Sequence, residues 1–335
     1  MTMKSWILVM MVMKVGVFAD RSATKNHNEE AHRALCTVLK MAVGKWGTNG
    51  EGLSDPLKTA LHQTIFGYRS EEKTVEKLRD TFPIVYKEGV GGLRGVLCGQ
   101  PTHGGYQDNF PRWPGHSAPH DLVCLCTVGN EGWPLNETIP EKKKLCGKTE
   151  DELGGDTEGW DSSSKEKGEK QITATWDNIT KECLQSDGKK GENLKEALET
   201  LTGKLKESNH YLLGEGTYSS RSASACTGSP SFGVCVKYYP TYEETKTWWV
   251  DLQKALIEDE KIQAQKKEEN RKQQEEANQR NSPKTEALKS GNPNTNKTEQ
   301  HRNETVTDKL RRFNLTSGTP IILPSPWLLR AILLI

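Results

Sequence analysis

Residues 27–46, HNEEAHRALCTVLKMAVGKW, place Ala31, Leu35, Val38, Leu39, Ala42 and Trp46 on one helical stripe, with Cys36 alongside it. Steps of three and four residues return a side chain to the same helix face, so this is an amphipathic helix with a narrow apolar face that needs a partner. Two further seams offer one. Leu194, Leu198, Leu201, Leu205 and Leu212 advance by 4, 3, 4 and 7 residues, and Tyr242, Thr245, Trp249, Leu252 and Leu256 by 3, 4, 3 and 4. Both spacings are coiled-coil-like, and together with 27–46 they predict a mainly α fold, an elongated antiparallel helical bundle. Residues 54–67 and 70–82 read as shorter helices opened by Ser54 before Asp55-Pro56 and by Ser70 before Glu71-Glu72.

Between 89 and about 170 the helical period disappears and glycine, proline and tryptophan dominate, with turns at Gly91-Gly92, Gly104-Gly105, Trp113-Pro114-Gly115 and Trp133-Pro134. Five of the eight cysteines, Cys98, Cys124, Cys126, Cys146 and Cys183, fall in or beside this stretch; the others are Cys36, Cys226 and Cys235. The reading is a loop-rich lobe at about 89–185 stapled by disulfides whose connectivity the spacing leaves open. Beyond Ile262 the apolar face ends. Residues 259–280 hold six Lys/Arg and six Asp/Glu, and 281–312 carry Asn281-Ser282-Pro283 and Gly291-Asn292-Pro293-Asn294. The first reads as either a solvated helical extension or a charged linker; the second cannot offset its ordering entropy by burial and is expected to be disordered, so 261–317 is a charged, low-complexity, flexible polar stalk behind a 20–260 ectodomain.

The ends read as addresses. Residues 1–19 join Lys4 to the apolar run Trp6–Met13 and finish in Val17-Phe18-Ala19, which fits a signal peptide cleaved after Ala19. The terminal IILPSPWLLRAILLI would reach about 22 Å as a helix against the roughly 30 Å of a bilayer core. It follows the small residues Thr316-Ser317-Gly318-Thr319, so 318–335 reads as a glycosylphosphatidylinositol (GPI) attachment signal, with the lipid on Ser317 or Gly318 and the expected location the outer face of the plasma membrane. Asn136, Asn178, Asn296, Asn303 and Asn314 each stand in Asn-x-Thr, five acceptors for N-glycans in an exported chain.

Composition narrows the function. With 46 Lys+Arg against 45 Asp+Glu the chain has no basic excess to recruit nucleic acid, and loss of Lys4, Lys14 and Arg330 with the end segments would make it net acidic. At 33% hydrophobic residues and a mean hydropathy of −0.74 it is too polar for a multi-span membrane protein. The sharpest catalytic candidate is His116, His120, Cys124 and Cys126, whose spacing suits four zinc ligands of a secreted hydrolase. Against it, Cys-x-Cys in an oxidising compartment usually bridges to two different partners. Gly89–Gly95 reads as a turn, since no Lys-Ser/Thr follows it, and Trp248-Trp249 as one core ring and one interface ring. No nucleophile elbow, zincin helix or dinucleotide fingerprint is present, so neither an enzyme nor a cofactor is expected.

An exported chain with bundle helices, a cysteine-rich lobe containing Asp121-Leu122-Val123-Cys124-Leu125-Cys126 and Leu145-Cys146-Gly147, a polar stalk and a lipid-attachment signal resembles the variant surface glycoproteins of African trypanosomes. Among them it looks most like the B-type N-terminal domains of the Trypanosoma congolense kind. Many members carry a cysteine-rich C-terminal domain, whereas here no cysteine follows Cys235. The resemblance implies a coat protein that self-associates as a homo-oligomer in a dense layer, faces host antibodies, takes no small-molecule substrate and is exchanged for antigenically different versions. The alternative on the same scaffold is a GPI-anchored receptor for host transferrin or haemoglobin complexes. Such a receptor needs an exposed aromatic patch, for which Trp113, Trp133 and Trp160 are the candidates.

Overall fold

The computed structural model describes residues 24–87, 93–101, 111–137, 143–155, 157–162, 168–186, 188, 191, 193–207, 210–216, 225–242 and 245–280. A short strand β1 (Lys25–His27) leads into helix α1 (Glu29–Trp46), followed by α2 (Asp55–Phe66), α3 (Val75–Asp80), α4 (Arg94–Gly99) and α5 (Ala118–Cys126). Strand β2 (Lys143–Leu145) precedes α6 (Glu169–Thr175), a π-helical stretch at Trp176–Thr180, α7 (Lys181–Cys183) and α8 (Leu194–Thr202). Then come β3 (Lys206–Glu207), β4 (Tyr211–Glu215), β5 (Val234–Tyr238) and the long helix α9 (Trp248–Arg280). The fold is mainly α, with β1 and β2 paired in parallel and β3, β4 and β5 in an antiparallel sheet. Contacts divide the chain after Ala277.

The stripe read from 27–46 is the buried face of α1: Leu35, Val38, Leu39, Ala42 and Trp46 are buried, and the helix packs on α2, α5 and α8. Leu35, Val38 and Leu39 each contribute on the order of 2 kcal/mol by leaving water. Glu29 and Glu30 in its first turn and Lys45 in its last complement the helix dipole. In α2, Pro56 sits in the first turn, where its missing N–H is not needed. The flanking Ser54 caps no N–H with its side chain; its hydroxyl instead donates to Asp259 Oδ1 at 2.6 Å and ties the start of α2 to α9.

Three expectations need correction. The leucine seam of 194–212 is not one helix. Leu194, Leu198 and Leu201 lie on the buried face of α8, but the helix stops at Thr202, and Leu212 belongs to β4, where Leu213 faces Val236 across the ladder. The β-branched and aromatic residues of Val234–Tyr238 supply a strand partner, so pairing wins over a helical period that happened to continue. Likewise α9 begins at Trp248: Tyr242 is exposed, and Thr245 lies in the turn before the helix. The shorter helix at 70–82 shrinks to Val75–Asp80, preceded by Thr74 rather than Ser70.

The stretch 89–185 is not merely loops. All nine residues of α5 are buried, which is why it shows no apolar period: a helix buried all round has no polar face to mark. Around it the backbones approach closely. A Cβ on Gly129 would stand 1.9 Å from Gly228 O, so these segments touch only because both residues are glycine. Four disulfides fasten the body: Cys36–Cys183 joins α1 to α7, Cys98–Cys124 joins α4 to α5, Cys126–Cys146 ties the end of α5 to the turn after β2, and Cys226–Cys235 holds β5 to the segment before it.

Candidate functional site

The chemistry-bearing side chains converge on α5. Ser117 accepts the His120 N–H at 3.3 Å and Pro119 occupies the first turn, so the helix starts with its amide donors provided for. One turn in, the fully buried Asp121 accepts three hydrogen bonds: Gly115 N–H to Oδ1 at 2.9 Å, and Tyr238 Oη at 2.9 Å and Trp248 Nε1 at 2.7 Å to Oδ2. This one carboxyl gathers the loop before α5, strand β5 and the start of α9. Burial pushes its pKa up to about 7, while the three donors pull the other way.

Arg94, at the start of α4 and also fully buried, is the cationic counterpart. Its Nη1 donates to Val128 O and Trp160 O, its Nη2 to Cys124 O and Thr127 O, and its guanidinium stands 5.0 Å from the Trp160 ring centroid. The fork satisfies the carbonyls that the last turn of α5 leaves open. Burial lowers its pKa to about 9. A third knot is Asn28, at a left-handed φ of 56° before α1; its Nδ2 donates to Leu125 O and Val234 O, and its Oδ1 accepts from Glu215 N–H. Beside it the buried His27 places Nδ1 2.6 Å from Glu215 Oε2.

The zinc reading of His116, His120, Cys124 and Cys126 is overturned, because both sulfurs are in disulfides to different partners and neither is a thiolate. The histidines are structural. His120 Nε2 donates to Leu97 O at 2.9 Å and its Nδ1 accepts from Tyr86 Oη at 2.7 Å, while burial holds its pKa down to about 3. His116 Nε2 lies 3.1 Å from Tyr68 O, and burial keeps this ring well below the usual imidazole range. His32, Cys36 and Cys183 also bring ligand atoms within 4.8 Å of one another, but there too the sulfurs are bonded to each other. The Gly89–Gly95 stretch lies outside the described residues up to Gly92, and its remainder leads into α4.

The aromatic patch required of a receptor is not formed by the candidates: Trp113 and Trp133 are buried and Trp160 is fully so. Trp248 and Trp249 are both core, rather than one core and one interface ring. Asn136 and Asn178 are exposed, their Nδ2 groups donating to Glu131 O at 2.9 Å and Glu152 O at 2.6 Å. Ala19, Asn296, Asn303, Asn314, Ser317 and Gly318 lie outside the described residues. Sequence reading did not single out Arg94, Asp121 or Asn28. A signal existed for the first two, an Arg inside the apolar run Leu93-Arg94-Gly95-Val96-Leu97 and an Asp at the head of the apolar run Leu122–Cys126.

Among the described residues no helix is long and apolar enough to cross a membrane. Neither the curated proteins nor the solved structures gave a match. The family model described as "Trypanosomal VSG domain" matches residues 45–276, well over half of the chain and the stretch that holds α2 to α8, the β3–β5 sheet and most of α9. The chain belongs to the trypanosomal variant surface glycoprotein domain family.

Proposed function

We propose that this chain is a GPI-anchored variant surface coat glycoprotein that shields the parasite surface sterically and is exchanged for antigenically different versions. The family is one of structural surface coat proteins. The observation that carries the reading to this chain is the use of its reactive side chains for packing: the cysteines bridge, His120 is held neutral between two partners, and Asp121 and Arg94 join backbone segments. A rigid interior of this kind leaves exposed loops free to vary, because their residues do not set the packing. In this reading 1–19 is removed on export, 20–260 is the ectodomain, 261–317 the stalk, and Ser317 or Gly318 carries the lipid. The Asn-x-Thr sites carry glycans, and copies of the chain pack side by side where host antibodies meet them.

Treatment of intact expressing cells with phosphatidylinositol-specific lipase tests the anchor. The expected result is release of the chain with a C-terminal peptide ending at Ser317 or Gly318 and bearing ethanolamine. Retention on the cell, or a released peptide that continues through Ile335, would overturn it.

A further inference from the structure

The end of α1, one face of α2 and the segment 67–73 line an open cavity of about 500 Å³ that the coat reading does not use. That size falls within the roughly 300–1,000 Å³ of small-molecule sites. Its inner wall is aromatic. Trp46 and His62 line it with ring centroids 5.8 Å apart, and Trp46 is braced edge-on at 5.6 Å by Phe66, both of them core residues. The same two polar rings fix the outer wall: Trp46 Nε1 donates to Lys73 O at 3.2 Å and His62 Nε2 to Glu72 O at 2.8 Å.

The rim has one sign of charge. Lys58, Arg69 and Lys73 line the cavity and no carboxylate does. Among the described residues these three cations make no ion pair, whereas the neighbouring Lys77 does, with Glu72. Glu72 is turned to other work: it accepts from Lys77, from the Lys73 and Thr74 amides and from the Thr74 hydroxyl, which together hold its pKa down to about 2. The chain enters the segment through Gly67, where a Cβ would lie 1.9 Å from the His116 ring, and then holds Arg69 at a left-handed φ of 62°. A non-glycine residue rarely adopts this conformation, and here it is held by an arginine that lines the cavity.

We propose that this cavity between α1, α2 and residues 67–73 binds a small organic anion, a ring-bearing molecule with a carboxylate or phosphate: the ring meets the Trp46 and His62 wall and the anion meets Arg69, Lys58 and Lys73. Aromatic walls recognise the flat or apolar face of such a ring, and the cations select its charge. The site does not depend on the coat reading, since neither the lipid anchor nor the stalk contributes to it.

Isothermal titration of the full chain with adenosine 5′-monophosphate and with N-acetylneuraminate tests the proposal, with adenosine as the neutral ring and sulfate as the anion without one. At least one ring-bearing anion is expected to bind once per chain at about 1 mM or tighter, and adenosine and sulfate at least about tenfold more weakly. In the double variant Arg69→Gly/Lys73→Ala that affinity should fall at least about tenfold while the thermal midpoint holds, since glycine suits the φ of position 69. Lys266→Ala on the exposed part of α9 should leave binding unchanged. Absence of heat for both anions up to about 10 mM, equal affinity in the double variant, or sulfate or adenosine binding as well as the anionic rings would each overturn the proposal.

Discussion

Trp248 donates its indole N–H to Asp121 Oδ2 at 2.7 Å, across 127 residues of sequence. The same oxygen takes the Tyr238 hydroxyl, so one carboxylate oxygen joins the first turn of α9, strand β5 and helix α5 in the fully buried centre of the body. Asp121→Asn must turn its NH₂ either toward the Tyr238 and Trp248 donors or toward the Gly115 N–H, and so leaves at least one of the three donors unsatisfied. The expected loss of stability is about 2–4 kcal/mol by urea denaturation, at unchanged slope. A change below about 0.5 kcal/mol would contradict the role assigned to this residue.

The same group sets a pH signature. Its folded pKa, near 7, stands above that of the unfolded chain, so the native state binds the extra proton and this contribution is lost as pH rises from about 4 through 7. His32, held down to about 4, and His120, held to about 3, act in the opposite sense: the unfolded state binds their protons first, so their contribution is lost as pH falls below about 6.5. Unfolding titrations between pH 4 and 6.5 should therefore show stability falling toward acid more steeply in Asp121→Asn than in the parent. His120→Gln should fall less steeply than the parent.

Arg94 answers four carbonyls with one fork. Arg94→Met is expected to cost about 3–5 kcal/mol, because the carbonyls at the end of α5 lose their donors inside the core. Arg94→Lys should recover only part of this, since an ammonium has three donors and no fork. An Arg94→Lys midpoint equal to that of the parent would mean that the geometry of the guanidinium is immaterial.

Disulfide removal should follow loop length. Cys36–Cys183 closes a separation of 147 residues and Cys226–Cys235 one of 9. Constraint of the unfolded chain then gives about 5 kcal/mol for the first and about 2.6 for the second. Paired Cys→Ala variants are expected to unfold in that order of denaturant sensitivity, and the reverse order would refute the entropic account.

Much of this architecture is legible along the chain where one face is wet and the other dry. In α1 the spacing from Ala31 to Trp46 marks the buried stripe, and Ser54 with Pro56 marks the start of α2. The signal fails where both faces are dry. Helix α5 is buried at every position, so its residues read as loop, and Trp113, Trp133 and Trp160 give no hint of whether they face core or solvent. It also fails where partners are remote. Leu205 and Leu212 continue the step of α8, yet the strand at Val234–Tyr238 decides that Leu212 is sheet, and that strand is 22 residues further on at its nearest. The pairing of Asp121 with Tyr238 and Trp248, and of Arg94 with carbonyls 30 to 66 residues away, is a property of the closed structure.

The coat reading is tested most directly by the composition of the protein that phosphatidylinositol-specific lipase releases from a clonal population expressing this chain, counted per cell by mass spectrometry. This polypeptide should dominate the released protein and stay dominant at saturating lipase. Its presence as a minor species beside another abundant surface protein would contradict a coat role and favour a low-copy receptor.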